Sequence, residues 1–558
     1  MKKRRSIIER ASLNLEMLWT KHFRLRKFSH IFLSPEKTQQ LTLAKILQKN
    51  RNTTFGKKHR FASLRNEREF RDQVPIHSYE DLRPYIEKQM ERGTYELNPE
   101  RPAMYLQTSG TTGRPKYIPV GRDTLKSYQH AQQISSYIQY KTALGIFSGK
   151  LLFIVSPSIE GYLNNGAPFG AMSGIVSQSL PKTILSRSLL PQEVFEITDY
   201  EERYLLIAAI AASTPNITCL ASANPATLFR LIEVINEQIN LIFKYIETGD
   251  ADALGIKLQQ GLNQHLIYHC RPDKSRIAEL KKVIHKQGCL RLCDLWPNLK
   301  AVVTWMSGNC GLLIPKLLKQ LSPDVKVIDM GYLASEFWGT ITIDPQRNFG
   351  LPTIQDNFFE FIGTEAWEAG HKDTLLLSEL EIGRQYYIIV TTPDGLYRYF
   401  INDIVEATGR YLDTTTIVFV QKGKGVTSLT GEKLYEVQVI QAVQEVSVLY
   451  GIAADSFIML ADRKGLFYTL YIETEDKFDL AQFSDALNNS LCELNVEYSA
   501  KFKSGRIRST VVKRVQAGTF DAYKNAAIKS GQREAQYKTV KLQYCDDVSF
   551  AFHECECS

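Results

Sequence analysis

The stretch Tyr105–Pro119 reads YLQTSGTTGRPKYIP. Between Thr108 and Lys116 it carries four hydroxyls (Thr108, Ser109, Thr111, Thr112), two glycines (Gly110, Gly113) and the Lys116 ammonium. Glycine has no Cβ to hold a ligand away, so backbone N–H groups can approach it closely. Many small donors, little side-chain bulk and one mobile cation suit a polyphosphate. A Walker A loop is excluded. That pattern has four residues between its glycines and ends in Gly-Lys-Ser/Thr, whereas here two residues separate the glycines and Pro115 precedes the lysine.

Working outward, apolar β-rich runs at Leu151–Val155, Ala301–Trp305, Val325–Met330, Tyr386–Thr391 and Thr416–Val420 predict short buried strands. Between them, apolar residues recur at helical spacing over Leu125–Tyr140 and Leu228–Ile246. This alternation predicts an α/β chain, with a large multi-layer N-terminal domain of mixed sheets and helices. At residues 421–425 the sequence QKGKG breaks the pattern, and glycines flanked by lysines predict a hinge. The hinge divides a large unit, residues 1–424, from residues 425–558. Beyond it come a helix around Tyr435–Leu449, strands at Phe457–Leu460 and Leu466–Ile472, a helix around Leu480–Leu494 and a strand at Arg508–Val515. That order predicts a small, mobile α+β C-terminal domain.

The TSGTTGRPK stretch resembles the phosphate loop of the adenylate-forming superfamily, which includes firefly luciferase and the acyl-CoA ligases. The YIP that follows and two later motifs narrow the resemblance to the auxin-responsive acyl-acid–amido synthetases. Gly331–Glu336, GYLASE, is similar to that family's Tyr-x-Ser-Ser-Glu motif. Leu396–Val405, LYRYFINDIV, is similar to its Tyr-Arg-x-Gly-Asp motif. Further echoes are Gly431–Glu436 (GEKLYE), Gly518–Asp521 (GTFD) and Gln536–Lys538 (QYK).

The resemblance implies an ATP-dependent ligase that adenylates a carboxylic acid, releases pyrophosphate and passes the acyl group to an amine, expected to be an amino acid. The chemistry needs charge neutralisation and alignment more than proton transfer, because an anionic carboxylate must meet an anionic phosphate. By resemblance, Thr108, Ser109, Gly110, Thr111, Thr112, Gly113 and Lys116 cradle the departing phosphates, and Glu336 holds Mg²⁺. Tyr332 is expected to stack on adenine, Ser307–Asn309 with Gly308 to border its edge, Asp403 to accept the ribose hydroxyls and Arg398 to bind ATP. Asn164, Asn165 and Gly166 are expected to wall the substrate pocket. Lys538, with Lys433 as a weaker second, is expected to reach the phosphates from the mobile domain. The chain departs from the family at Asn402, where glycine usually precedes the aspartate, and at Phe400, where plant members often carry arginine. Asparagine tolerates left-handed backbone better than most residues, so the turn should survive.

The chain has 558 residues, 44% hydrophobic and 23% charged, and a formal charge of +8. Such a composition excludes bulk disorder and supports a core without staples. Nine scattered cysteines do not make a disulfide framework and point to the reducing cytoplasm. The longest apolar run, Tyr204–Ala212, is half a membrane span, so no transmembrane segment is expected. The basic N-terminus, MKKRRSIIERASLNLEMLW, is read as a packed first helix with a solvated basic face in preference to a membrane-lying one. The tail, with Cys545, Cys555 and Cys557, is read as frayed. The partners expected are small molecules, without nucleic acid, and the chain is expected to be a monomer. The rival readings are an acyl-CoA synthetase and a non-catalytic adenylate-binding protein.

Overall fold

Three of the apolar runs and a strand the sequence reading passed over, Ile217–Ala221, pair in parallel, in the spatial order Lys150–Phe153, Ile217–Ala221, Ala301–Thr304 and Lys326–Asp329. Parallel strands need crossovers and are covered on both faces. Accordingly, Cys219, Ala221, Ala301 and Val303 belong to a core shared with Phe147, Phe153 and Leu180. Leu220 and Val302 point the other way, into a core filled by Leu206, Leu228, Ile232 and Ile242. The helix Arg122–Thr142 covers the first face; Tyr200–Ser213, Ala226–Glu237 and Ile239–Thr248 cover the second.

This computed structural model describes residues 2–557 except 94, 109–115, 198, 257–271, 346–348, 428, 430, 431, 433, 504 and 531–536. Ser109, Gly110, Thr111, Thr112, Gly113 and Lys433 therefore lie outside the described residues. The loop's flanks are clear: Met104–Thr108 and Lys116–Val120 pair antiparallel with Thr108 opposite Lys116, so the loop caps a hairpin.

A six-stranded antiparallel sheet follows, in the order Phe358–Gly363, Gln385–Thr391, Tyr399–Tyr411, Thr414–Lys422, Phe349–Pro352, Thr340–Asp344. The third motif enters its central strand through two left-handed residues, Arg398 (φ +45°) and Asn402 (φ +61°). The expectation that asparagine would preserve the turn therefore holds. Arg398 departs from its expected role. Its guanidinium is buried and pairs with Glu360 at 2.8 Å, and it also donates to the carbonyls of Arg71 (2.6 Å) and Val74 (2.7 Å). Every polar edge is used for structure, so Arg398 is a clamp and not an ATP ligand.

The expected helix Leu228–Ile246 is two helices that break at Gln238, where Asn236 turns its amide onto the carbonyls of Ile232 and Leu290. At the junction with the C-terminal domain, Gly423 and Gly425 have no left-handed φ. A Cβ on Gly423 would stand 2.2 Å from Asn402 Oδ1, and one on Gly425 would stand 2.7 Å from Glu436 Cβ. These glycines are present for close approach, whereas the sequence suggested dihedral freedom.

The C-terminal domain is a mixed sheet, Val511–Val515, Phe467–Glu473, Ser456–Asp462, Leu542–Tyr544, covered by helices Glu436–Tyr450 and Leu480–Leu494. The tail is not frayed. Phe552 is buried among Ile458, Leu460 and Phe550, and Gln516 N–H donates to Cys555 O at 2.9 Å. Lys513 pairs with Glu556 at 2.8 Å. An aromatic anchor and a strand edge supplied by the folded domain hold these residues, and neither is visible from the tail alone. The described cysteines are free thiols. Among the described residues no helix is long and apolar enough to cross a membrane.

Removing one partner of a buried ion pair leaves an uncompensated charge, typically at a cost of about 3–5 kcal/mol. Arg398→Met should therefore lower the denaturant midpoint strongly. Asn402→Gly, which keeps the left-handed turn available, should move it little. Urea unfolding of both variants checks the pair.

Candidate active site

Parallel sheets place ligands beyond the carboxyl ends of their strands. Here those ends open into a cleft of about 1220 Å³. Val155, Ser222, Trp305 and the run Met330–Glu336 each follow one of the four strands and line it. The six-stranded sheet contributes Tyr399–Asp403, Phe419 and Lys422, the phosphate-loop hairpin contributes Lys116, and the C-terminal domain contributes Lys538.

The second motif is set by an aspartate that sequence reasoning passed over. Asp329 ends its strand and accepts from Met306 N–H at 2.9 Å and Gly331 N–H at 2.8 Å, tying two strand ends together. Gly331 has φ +82°, and a Cβ there would approach Thr340 O to 2.9 Å. The chain then turns so that Tyr332 N–H donates to Thr340 Oγ1 at 2.9 Å. The one hint in the sequence was a carboxylate closing the apolar run VKVID.

Tyr332 does not offer a face to adenine. Its ring stacks on Phe419 at 5.5 Å, and a Cβ on Gly339 would touch it at 2.5 Å, so protein covers it. Its hydroxyl donates to Asp403 Oδ2 at 2.7 Å, which makes it a positioning residue for that carboxylate. Asp403 is buried and faces Lys422 across the hairpin, with Nζ 2.5 Å from Oδ1. Burial pulls the Lys422 pKa down, but Asp403 and Glu336 outweigh it and hold the ammonium above the ordinary lysine value. Lys422 was read only as part of a hinge; its pairing with Asp403 depends on hairpin register.

Glu336 accepts from Tyr399 OH at 3.4 Å and lines the cleft. Burial raises its carboxyl above the usual range, against the opposing pull of Lys422 and Lys116. Lys116 stands 5.4 Å over the Tyr79 ring, and burial lowers its pKa while Glu336 resists. Lys538 Nζ lies 4.1 Å over Trp305 and 5.3 Å from the Phe419 ring, its pKa also lowered by burial. Three ammonium groups thus converge from three parts of the fold on one cleft, as a polyanion requires.

Two expected positions fall elsewhere. Asn164, Asn165 and Gly166 are exposed at the tip of the hairpin Gly161–Tyr162/Pro168–Gly170, with Asn165 Oδ1 capping Ala167 N–H at 2.9 Å; they do not line the cleft. The Asn-Gly pair serves the turn, with Gly166 at φ +79°. Gly308, at φ +59°, packs against Phe419 and the Val420 carbonyl, while its neighbour Ser307 faces the cleft. Of the phosphate loop, Lys116 is described in the cleft and Thr108 ends the strand that leads to it. Phe400 stacks on Trp367 at 4.2 Å beside the cleft.

One arm of the cleft runs between the helix Arg122–Thr142 and the parallel sheet. Phe147, Leu180, Cys219 and Val303 make its apolar wall, and Gln132, Ser135 and Gln139 project from the helix at successive turns.

Asp403→Asn removes the main influence that raises the Lys422 pKa. The alkaline limb of nucleotide binding should therefore move to lower pH. Calorimetric titration of the variant and parent across the alkaline range checks the direction.

Matches to known proteins follow the same division of the chain. The GH3 family N-terminal domain model matches residues 24–327, the central domain model 350–422 and the C-terminal domain model 437–544. Among curated relatives, an Arabidopsis thaliana protein named indole-3-acetic acid-amido synthetase GH3.15 is 24% identical, covering 90% of this chain and 89% of its own. The Arabidopsis 4-substituted benzoates-glutamate ligase GH3.12 is 25% identical, covering 90% and 92%. The solved structure of the GH3.15 acyl acid amido synthetase superposes with a TM-score of 0.81 at 20% identity, covering 96% of each chain. A 2-hydroxyisobutyryl-CoA ligase in its postadenylation state reaches 0.54 at 13% identity over 92% of this chain and 90% of its own. Lys116, the GYLASE turn and the LYRYFIND strand meet in one cleft, and the chain belongs to the GH3 family.

Proposed function

We propose that this protein is an ATP-dependent acyl-acid–amido synthetase: it joins a carboxylic acid to the amine of an amino acid through an acyl adenylate. The observation that carries the reading is the convergence of Lys116, Lys422 and Lys538 on a cleft that also holds Glu336 and Asp403. An acid becomes an acyl donor only when its oxygen is made a good leaving group. The step brings two anions together, and the cleft's ammoniums lower that cost.

Each residue then has a task. Lys116 neutralises the departing pyrophosphate. Asp403, oriented by Tyr332 and Lys422, accepts from ribose hydroxyls. Glu336 would hold Mg²⁺ through one carboxylate oxygen, and the ion would supply positive charge against the phosphates there. Lys538 enters on the C-terminal domain, and rotation about the 421–425 junction would withdraw it before the amine arrives. Domain boundaries at 1–424 and 425–558 are part of this reading.

The acid would lie along the arm between the helix and the parallel sheet. Its apolar wall faces Ser135 and Gln139, whose side chains make no hydrogen bond among the described residues. That lining suits a neutral body with a polar group at its far end. The Trp367–Phe400 pair suits an apolar face on the acceptor side. Free thiols suit the cytoplasm, and a cleft built by one chain suits a monomer.

The decisive experiment is pyrophosphate exchange across a panel of acids, followed by mass spectrometry with amino acids added. Thioester formation with coenzyme A in place of an amide would assign the chain to acyl-CoA ligation instead. Lys116→Ala should slow exchange at least ~10-fold, since a charge-assisted contact is worth roughly 1.5–3 kcal/mol. Glu336→Gln should raise the Mg²⁺ requirement, because an amide is a poorer ligand for a hard cation; overlapping Mg²⁺ curves would remove it as a ligand. Lys538→Ala should depress adenylation more than acyl transfer while leaving the preference among amino acids unchanged, measured by exchange and amide formation side by side.

A further inference from the structure

The charge of this chain sits almost wholly at one end. Residues 2–27 hold nine Lys and Arg against Glu9 and Glu16, which is seven of the formal surplus of eight. The helix Lys2–Trp19 and the π-helical turn Thr20–Leu25 that continues it pack on the body of the protein through Leu13, Met17 and Thr20. That much matches a packed first helix. The same segment carries a second apolar stripe that joins none of the hydrophobic cores formed by the described residues. Leu15, Leu18, Trp19 and Phe23 are 67%, 52%, 44% and 64% exposed. Their spacing, three, four and eight residues from the first, puts them on one helix face.

Cations border that stripe. Arg10, Lys21, Arg26 and Lys27 are exposed, and the Arg24 guanidinium stands 4.9 Å over the Trp19 ring. Glu16 is turned to the packed side, where it accepts from Thr183 Oγ1. The outward face of residues 10–27 therefore combines an apolar ridge, an indole and positive charge without an acid. Isolated surface leucines need no explanation, but four large apolar side chains in register do.

We propose that this N-terminal face docks the protein on an anionic lipid surface. Leucine, phenylalanine and the indole enter the headgroup boundary, and the basic rim meets lipid phosphates. A nucleic acid would use the cations but leave Leu15 and Leu18 in water. The helix already spends Leu13 and Met17 on the protein core, so it lies on the membrane without crossing it.

The test is flotation of the full-length protein with phosphatidylcholine vesicles made with and without phosphatidylglycerol. Binding should require phosphatidylglycerol and weaken in high salt. Lys21→Glu with Lys27→Glu should weaken it about tenfold or more, and Trp19→Ser with Phe23→Glu should do the same while the charge rim is kept. These side chains are exposed, so circular dichroism and pyrophosphate exchange in the absence of vesicles should match the parent. Equal binding to neutral vesicles, or binding unchanged by either pair, overturns the proposal. So does a doubled mass in sedimentation that Phe23→Glu abolishes, which would make the face an interface between copies. Retention on single-stranded DNA that ignores Trp19→Ser with Phe23→Glu, without vesicle binding, would assign the cations to nucleic acid.

Discussion

The buried guanidinium of Arg398 holds the strand on which the active site is hung. It pairs with Glu360 on the edge strand Phe358–Gly363 of the same sheet and donates to the carbonyls of Arg71 and Val74 in the N-terminal helical layer. Its own backbone carbonyl accepts from His77 N–H, and Phe400 N–H returns to His77 O. The layer before the phosphate-loop hairpin and the sheet after it are thereby locked at one point. A buried ion pair of this kind carries a large desolvation cost and adds little net stability, but it punishes any arrangement that separates its members. The strand that leaves the clamp carries Phe400, Asn402 and Asp403 into the cleft across an irregularity, where its pairing with Gln385–Thr391 shifts between Phe400 and Ile404.

Asp403 is the second node. Its two oxygens are shared between the Tyr332 hydroxyl and the Lys422 ammonium. Tyr332 is placed by Thr340 and by the turn at Gly331, which Asp329 closes. The parallel sheet, the antiparallel sheet and the hairpin to the C-terminal junction therefore meet at one carboxylate. Gly423 sits against Asn402, and Gly425 against Glu436. The segment 421–425 is thus packed directly between the strand that carries Asp403 and the helix that begins at Glu436.

The packed tail and the basic N-terminal face add to this frame from the ends of the chain. The tail covers the C-terminal sheet through Phe552 and contributes Ser549 and Glu554 to the rim of the cleft. The N-terminal helix uses one stripe for packing and leaves another exposed, so a single amphipathic segment presents two apolar faces separated by charge.

The sequence by itself determined the class of the fold and the strand–helix alternation. These are properties of local spacing, read from the apolar period. It also showed that Asn402 could keep a left-handed turn, because that preference belongs to the residue. What only the tertiary structure decided were the partners. Arg398 became a clamp because Glu360, far off in the chain, lies beside it in the sheet. Tyr332 became a support for Asp403 because Phe419 and Gly339 close over its ring. Lys422 joined the site through hairpin register, and Asn164–Gly166 left it because their hairpin tip points to solvent. A residue's type limits the interactions it can make; the packing of distant segments selects which of them it does make.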